Sequence, residues 1–464
     1  MIPQAPRRHF HKLGVPLFAA SLVTLPAPAG PRQDLPPLFG GPSVSQEDAA
    51  PLDPGLPTGS AYSMGQRPEG LGPACSARRP VCVHPRAGDA AEHALAALEA
   101  VESAYERLVD ALGLPAPLAD HGLGGSDGLD VYLGGDPGDE VLVEHDEPEL
   151  SGFDRASAFC RLPAQDGVLL ARAATLCVGE AIALALDAGE TPHLRRAFAT
   201  ELWWIIGSPT VFDLEAIAEL QLRPERAVVR GARDLASEGA ALLFEYLETT
   251  RGVAEPGVLS AALLAASGQH TTFDEPEWNN EPDLMDVVRH TLDRDRLRMM
   301  ALYRDFCVTR IFIGARDDDQ HLPTLRWSGT FAEPRFDWVL PFSSLPRRVL
   351  LTRPIEPSGA VFVRLELDQV PSGATLGLRA EWEAPVAFGW TLVRVGADGK
   401  ELSRVDLPFQ ERSTQVEGRV SELEGVRSII LVGTFLDEVT LAHPFDPDVE
   451  PFEPHSATVY FAKL

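Results

Sequence analysis

Apolar positions recur every three or four residues through most of the first two-thirds of the chain, and every second residue through the last third. From Ala90 to Leu112 the run AAEHALAALEAVESAYERLVDAL predicts an amphipathic helix. Helical spacing returns at about 174–187, 192–206, 213–222, 233–250, 257–267, 283–292 and 295–313. Asp130-Val131-Tyr132-Leu133, set between glycine pairs, predicts a short strand. No segment repeats another.

The texture changes near Leu322, where Gly and Pro begin to punctuate short alternating runs. Val361, Val363, Leu365 and Leu367 alternate with Phe362, Arg364 and Glu366, and Leu376, Leu378, Ala380 and Trp382 with Gly377, Arg379 and Glu381. Ala397-Asp398-Gly399-Lys400 reads as a hairpin turn between two β-like runs. Short strands at regular spacing predict an antiparallel β-sandwich over 325–464. The fold class expected is α+β, with a mostly helical domain carrying a small sheet over 73–322 and the sandwich after it.

The amino-terminal segment reads as an address. Arg7, Arg8, His9, His11 and Lys12 precede a short apolar run from Leu13 to Leu25, and Ala27-Pro28-Ala29 offers a small-x-small cleavage site. That is the layout of a secretory signal peptide over 1–29. The basic stretch resembles the twin-arginine export signal, with Pro6 where a small hydroxyl residue is usual, and equally fits a generic basic start. Residues 30–72, rich in Pro, Gly, Ala and Ser without periodicity, read as a disordered leader. No later segment is expected to cross a membrane, so the protein is expected in a periplasm or outside the cell. The chain of 464 residues carries 40 Lys and Arg against 68 Asp and Glu, a net charge of −28. Such a surface repels nucleic-acid phosphates and anionic lipid, which excludes both as expected partners.

Five cysteines agree with export. Cys75 and Cys82 flank a short basic loop, and Cys160 and Cys177 flank a longer stretch. The expected pairs are Cys75–Cys82 and Cys160–Cys177, with Cys307 left over inside an apolar helix, although spacing alone leaves the connectivity open.

The informative region is 191–247. In the helix TPHLRRAFATELWWIIG the apolar stripe runs through Leu194, Ala197, Phe198, Leu202 and Ile205, and Glu201 stands inside it. An inward carboxylate demands a partner, so Glu201 is either salt-bridged to Arg195, Arg196 or another buried group, or a former catalytic base.

Ala199-Thr200-Glu201-Leu202-Trp203-Trp204 resembles the A-H-E-L-F-H helix of the secreted bacterial gluzincin-type metalloproteases, and Phe212-Asp213-Leu214-Glu215-Ala216-Ile217-Ala218 resembles their W-x-E-E-A-T-A helix. Cys82-Val83-His84, the 90–112 helix and Asp127 to Leu133 resemble the approach to that fold. Glu238 to Phe244 resembles the small-residue helix behind the site. The resemblance covers roughly 75–320 and implies a zincin-like domain, with Glu201 as the vestigial general base and Glu215 as the third zinc ligand. In H-E-x-x-H two histidines four apart hold zinc while the Glu polarises water. Here Thr200 and Trp204 replace them. A hydroxyl is a poor zinc ligand and an indole N–H only donates. His193 lies seven residues before Thr200, about 10 Å along a helix, too far to substitute. Zinc is therefore expected to be lost, and Thr200, Glu201, Trp204 and Glu215 are expected to line an inherited cleft, with Glu201 facing Glu215.

Other chemistries lack their motifs. There is no G-x-S-x-G elbow and no phosphate-binding glycine loop. Asp317 to Asp319 lacks the alternating spacing of a calcium loop. Glu215 and Glu219 have nothing to hold a sugar between them, and Trp327, Trp338, Trp382 and Trp390 read first as packing. Two functions remain: a non-catalytic metallopeptidase homologue that binds a protein or peptide, or a secreted hydrolase with relocated or non-metal catalytic residues.

Overall fold

A computed structural model describes residues 59–61, 65–68, 72–89, 91–134, 141–150, 153–229, 234–251, 256–268, 277–279, 282–291, 296–368, 370–383, 386–409, 413–437 and 453–464. The expected signal peptide, and the leader apart from 59–61, 65–68 and 72, lie outside them.

In chain order the first half contains β1 (Gly59–Ala61), β2 (Ala74–Cys75), β3 (Val81–His84), α1 (Ala91–Tyr105), β4 (Leu129–Leu133), β5 (Leu142–Leu150), β6 (Asp154–Leu162), α2 (Gly167–Leu186) and α3 (Pro192–Ile206). Next come α4 (Val211–Leu222), α5 (Leu235–Gly239), α6 (Ala241–Arg251), α7 (Val258–Ser267), β7 (Glu277–Asn279), α8 (Leu284–Thr291) and α9 (Arg296–Thr309). The last part contains β8 (Trp338–Pro341), β9 (Arg347–Leu350), β10 (Ala360–Glu366), β11 (Leu376–Trp382), β12 (Phe388–Gly396), β13 (Glu401–Asp406), β14 (Gln415–Val420), β15 (Val426–Phe435) and β16 (Ala457–Lys463). The protein is a mixed α+β molecule with a β-rich carboxy-terminal region.

The small sheet has the order β2-β3-β4-β6-β5. Its inner strands β3, β4 and β6 run parallel, while β2 and β5 are antiparallel edges. α1 supplies the crossover between β3 and β4, burying Ala94, Ala97, Val101 and Ala104. Of these strands only β4 is legible in the sequence, from its setting between glycine pairs; β5 and β6 carry charged residues that break any alternation.

α2 follows β6 and is buried along nearly its whole length. Against the expectation that no later segment is apolar enough, α2 is long and apolar enough to cross a membrane. In this fold it is a core helix, covered by β6, α1 and α3. Cys75 is joined to Cys82 across the β2–β3 pair, and Cys160 to Cys177 between β6 and α2; Cys307 is free and buried in α9. Two disulfides fit an oxidising compartment.

The pattern predicted as one helix over 233–250 is two, α5 and α6. Gly239, the last residue of α5, packs closely on α4, where a Cβ would come within 2.4 Å of Ala216 O. The leader is not wholly without structure either. β1 pairs antiparallel with β7, and residues 65–68 dock on the small sheet.

The sandwich consists of the sheets β13-β12-β15-β10-β8 and β14-β11-β16-β9. It is antiparallel except that β8 pairs with β10 in parallel. The first of these sheets is buried on both faces. Val361, Val363, Leu365, Trp390, Leu392, Ile429 and Leu431 face the second sheet. Ala360, Phe362, Val393, Ile430 and Val432 belong instead to the core of the helical part. Two-sided burial explains why β12 and β15 read as nearly continuous apolar runs. Polar groups join the halves as well. Buried Arg310 donates to Leu220 O at 2.9 Å and to Gln221 Oε1 at 3.0 Å, and Tyr303 Oη donates to Ser358 O at 2.7 Å.

Candidate functional site

α3 begins at Thr191, whose hydroxyl accepts from Leu194 N, with Pro192 at the first helical position. Its apolar stripe buries Leu194, Ala197, Phe198 and Leu202. Glu201 lies within this stripe at 0 % exposure, and neither of its carboxylate oxygens has a hydrogen-bond partner. Burial raises its pKa well above the usual carboxylate range, and the nearby carboxylates of Glu248 and Glu245 push the same way. The Ser260 hydroxyl works the other way, lowering the Glu201 pKa as a hydrogen-bonding neighbour, and it donates to Glu248 Oε1 at 2.9 Å. Glu248 also accepts from Gly257 N at 2.7 Å and Ser260 N at 3.1 Å, so its charge sits at the start of α7. Burial and the neighbouring carboxylates therefore favour the protonated form of Glu201, which faces α6 and α7.

Thr200 is buried and donates its hydroxyl to Arg196 O at 2.9 Å, one turn back. Trp204 is half-buried, donates to Asp213 Oδ1 at 3.3 Å and meets the edge of Trp327 at 5.6 Å. Trp203 donates to Asp213 Oδ2 at 3.0 Å. Asp213 accepts in addition from Thr210 N at 2.6 Å and Thr210 Oγ1 at 2.7 Å, closing the start of α4.

The carboxylate that α4 sends inward is thus Asp213, and Glu215 is exposed. Two residues turn a helix by about 200°, so the inward set of Asp213 puts Glu215 outside. The expected face-to-face pair of Glu201 and Glu215 does not form: one is sealed against α6 and α7, and the other is in solvent. The expected ion pairs to Glu201 do not form either. Arg195 donates to Ala188 O and Glu190 O at 2.7 and 2.5 Å. Arg196 Nε lies 2.6 Å from Glu180 Oε1.

Around Arg196 is a network that sequence reading missed. Its Nη1 lies 3.6 Å from Glu238 Oε1, and its Nη2 donates to Val141 O. Arg172 bonds the other oxygen of Glu238 and holds Asp213 Oδ1 at 3.1 Å. Two guanidinium groups so tie α2, α3, α4 and α5 together through Glu180, Glu238 and Asp213, all buried or nearly so. A signal was present. Arg172 and Glu180 are the charged residues of an otherwise apolar helix, eight apart and near one face.

The donor set does not fit zinc. Thr200 is bonded to the backbone, the indole of Trp204 donates, and Glu215 points to solvent. Asp213, Glu238 and Glu180 are held by arginines, and the ligand-type groups beside Glu201, toward α6 and α7, are carboxylates. His193 bonds Val228 O at 2.9 Å, away from them.

The remaining candidates settle into structural roles. Asp317 pairs with Arg326 and Asp318 with His321. Glu219 pairs with Arg223 and Arg226. Trp382 and Trp390 lie in the sandwich core, and Trp338 donates to Leu350 O. A separate cleft of about 260 Å³ opens where β3, β4 and β6 end, lined in part by Arg86, His93, Leu133, Gln165 and Asp166. Open parallel sheets take ligands at that edge.

No protein-family profile matches the chain. No curated protein matches it either. Among solved structures, the pre-peptidase C-terminal domain of collagenase from Bacillus anthracis aligns with 28 % of this chain and 98 % of its own, at 7 % identity and a TM-score of 0.18. A periplasmic inhibitor of g-type lysozyme from Aeromonas hydrophila aligns with 28 % of this chain and 100 % of its own, at 10 % identity and the same TM-score of 0.18. Likeness at this level assigns neither fold nor function.

Proposed function

We propose that the chain is an exported, non-catalytic relative of the gluzincin-type metallopeptidases that binds a protein or peptide instead of cutting one. The observation that carries this reading is the state of the two positions where that family has histidines. Thr200 spends its hydroxyl on Arg196 O, and Trp204 gives its indole N–H to Asp213. Glu201, the residue matching the general base, is sealed from solvent and its pKa is pushed up, which disfavours a proton-accepting carboxylate reaching a substrate water. Export rests on the basic, apolar and small-residue order of residues 1–29 and agrees with the two disulfides.

The test is elemental analysis of purified protein alongside a peptidase assay with and without chelator. The expected result is less than stoichiometric zinc and no chelator-sensitive hydrolysis. One tightly bound zinc per chain, lost together with an activity, would overturn the reading in favour of a hydrolase with relocated ligands.

A further inference from the structure

Arg67 belongs to a four-residue stretch, Gly65 to Pro68, that lies on the face of the small sheet near β5 and β6. Its backbone is held lightly: Gly65 N donates to His145 O at 3.0 Å, and Arg161 donates to Gln66 O at 2.8 Å. The side chain is held heavily. Nε bonds Asp146 Oδ1 at 2.9 Å and Nη2 bonds the other oxygen of the same carboxylate, a bidentate fork. Nη2 also bonds Asp120 Oδ2 at 2.6 Å, and Nη1 bonds Asp130 and points at Tyr132 Oη at 3.5 Å. The guanidinium carries five N–H groups, and five acceptors are arrayed around it. Its central carbon lies over the ring of Phe159, 5.2 Å from the ring centre.

This arrangement belongs to the body of the protein. Asp120, Asp130 and Asp146 are each 1 % exposed or less, whereas the Arg67 side chain is 14 % exposed. His84 Nε2 lies 2.8 Å from the second oxygen of Asp130, and the His84 ring stacks on Tyr132 at 4.4 Å. Gly122 N holds Asp120 at 3.0 Å. Gly124 lets the loop close over the pocket, since a Cβ there would overlap Asp130. Each acceptor is thus positioned by the sheet or its loop. An ammonium in the same place has no planar fork for Asp146 and fewer donors than there are acceptors. Three buried carboxyl groups converge on Arg67, so withdrawing it leaves them either to take up protons or to accept another cation.

We propose that this pocket is a guanidinium-recognition site, occupied in cis by Arg67, and that it accepts an arginine presented on an extended peptide in trans when Arg67 is withdrawn. Gly65 lies close against Glu144 and Phe159 and Gln66 is exposed, so Arg67 is the long side chain of this stretch that enters the sheet. The inference stands apart from the proposed function, because none of its residues belongs to the Arg172–Arg196 network.

The probe is a capped tetrapeptide Gly-Gln-Arg-Pro, compared with Gly-Gln-Lys-Pro, titrated calorimetrically into the full chain and into Arg67→Ala. Arg67→Ala is expected to bind the arginine peptide one to one, about tenfold or more tighter than the lysine peptide. The unaltered chain is expected to take up neither at the same concentrations. If Arg67→Ala does not fold alone, recovery of fold with the arginine peptide and not the lysine peptide is the same positive result. Failure of both peptides to bind or rescue, equal response to the two, or equal binding by the unaltered chain would each overturn the proposal.

Discussion

Arg196 on α3 and Glu180 on α2 meet at 2.6 Å with their side chains only 3 and 4 % exposed, and the same guanidinium reaches toward Glu238 on α5. The pair shares its environment with Arg172 and Asp213, so the positive groups hold several desolvated carboxylates in place. Breaking a buried pair from one side leaves the partner charge without compensation. Arg196→Met should therefore lower the unfolding free energy by about 3–5 kcal/mol. Arg196→Met combined with Glu180→Leu should recover much of that loss, which urea denaturation of the three proteins measures. Additive losses in the double variant would show that the two side chains do not act as a pair.

Glu201 gives a prediction of the opposite sign. It is an acid whose pKa is raised in the folded state, so the folded state holds its proton more tightly than the unfolded state does. For such a group stability is greatest below the unfolded carboxylate pKa of about 4.3, and declines as pH rises from there toward the raised value. Glu245 and Glu248 on α6 face it, and no cation is among the causes of its shift. Glu201→Gln should stabilise the protein increasingly above pH 5, with little gain in acid. Glu201→Leu should add about 1–3 kcal/mol at neutral pH by removing an unpartnered buried polar group. Melting temperatures across pH check both, and a uniform loss on either substitution would rule out a neutral, unpartnered Glu201.

His321 links the end of the helical part to β13. Its ring lies between Asp318 Oδ1 at 2.9 Å and Glu401 Oε2 at 3.1 Å, and stacks on Phe312. Burial opposes charging the ring, but the two carboxylates outweigh it and raise the pKa. Burial also works against Glu401, yet His321 and Arg404 together bring it down to about 2. A base with a raised folded pKa contributes stability that is fully present below its unfolded value of about 6.5 and fades as pH climbs through the folded value. His321→Gln should flatten that alkaline decline. The ring proton shifts of His321 followed by NMR should titrate above those of an unfolded histidine, and a titration below them contradicts the clamp.

Most of the local structure was legible because it is written in periodicity. α3 occupies the predicted span 192–206, α4 lies within a residue or two of its expected range, and the alternating runs became β10 and β11. The expected cysteine pairs are near neighbours joined by adjacent elements. The candidate site was less legible. Resemblance singled out Glu215 where the fold uses Asp213, because a linear motif does not say which way a helix is rotated. Arg67, Asp120, Asp130 and Asp146 meet across separations of up to 79 residues, through a sheet whose charged strands hide their own alternation. No local pattern carries such a meeting. Glu201 was visible as a misfit in an apolar stripe, and the structure keeps it as a misfit with no partner.

The sheet β13-β12-β15-β10-β8 belongs to two cores at once, with Phe362, Ile430 and Val432 on one side and Val363, Ile429 and Leu431 on the other. A chain severed near residue 325, where the sequence changes character, would not yield two self-sufficient modules. The released sandwich would bear a bare aliphatic wall, and the helices would lose the surface they fold against. What looks in the alphabet like a joint between two proteins is, in three dimensions, a party wall, and neither house stands without it.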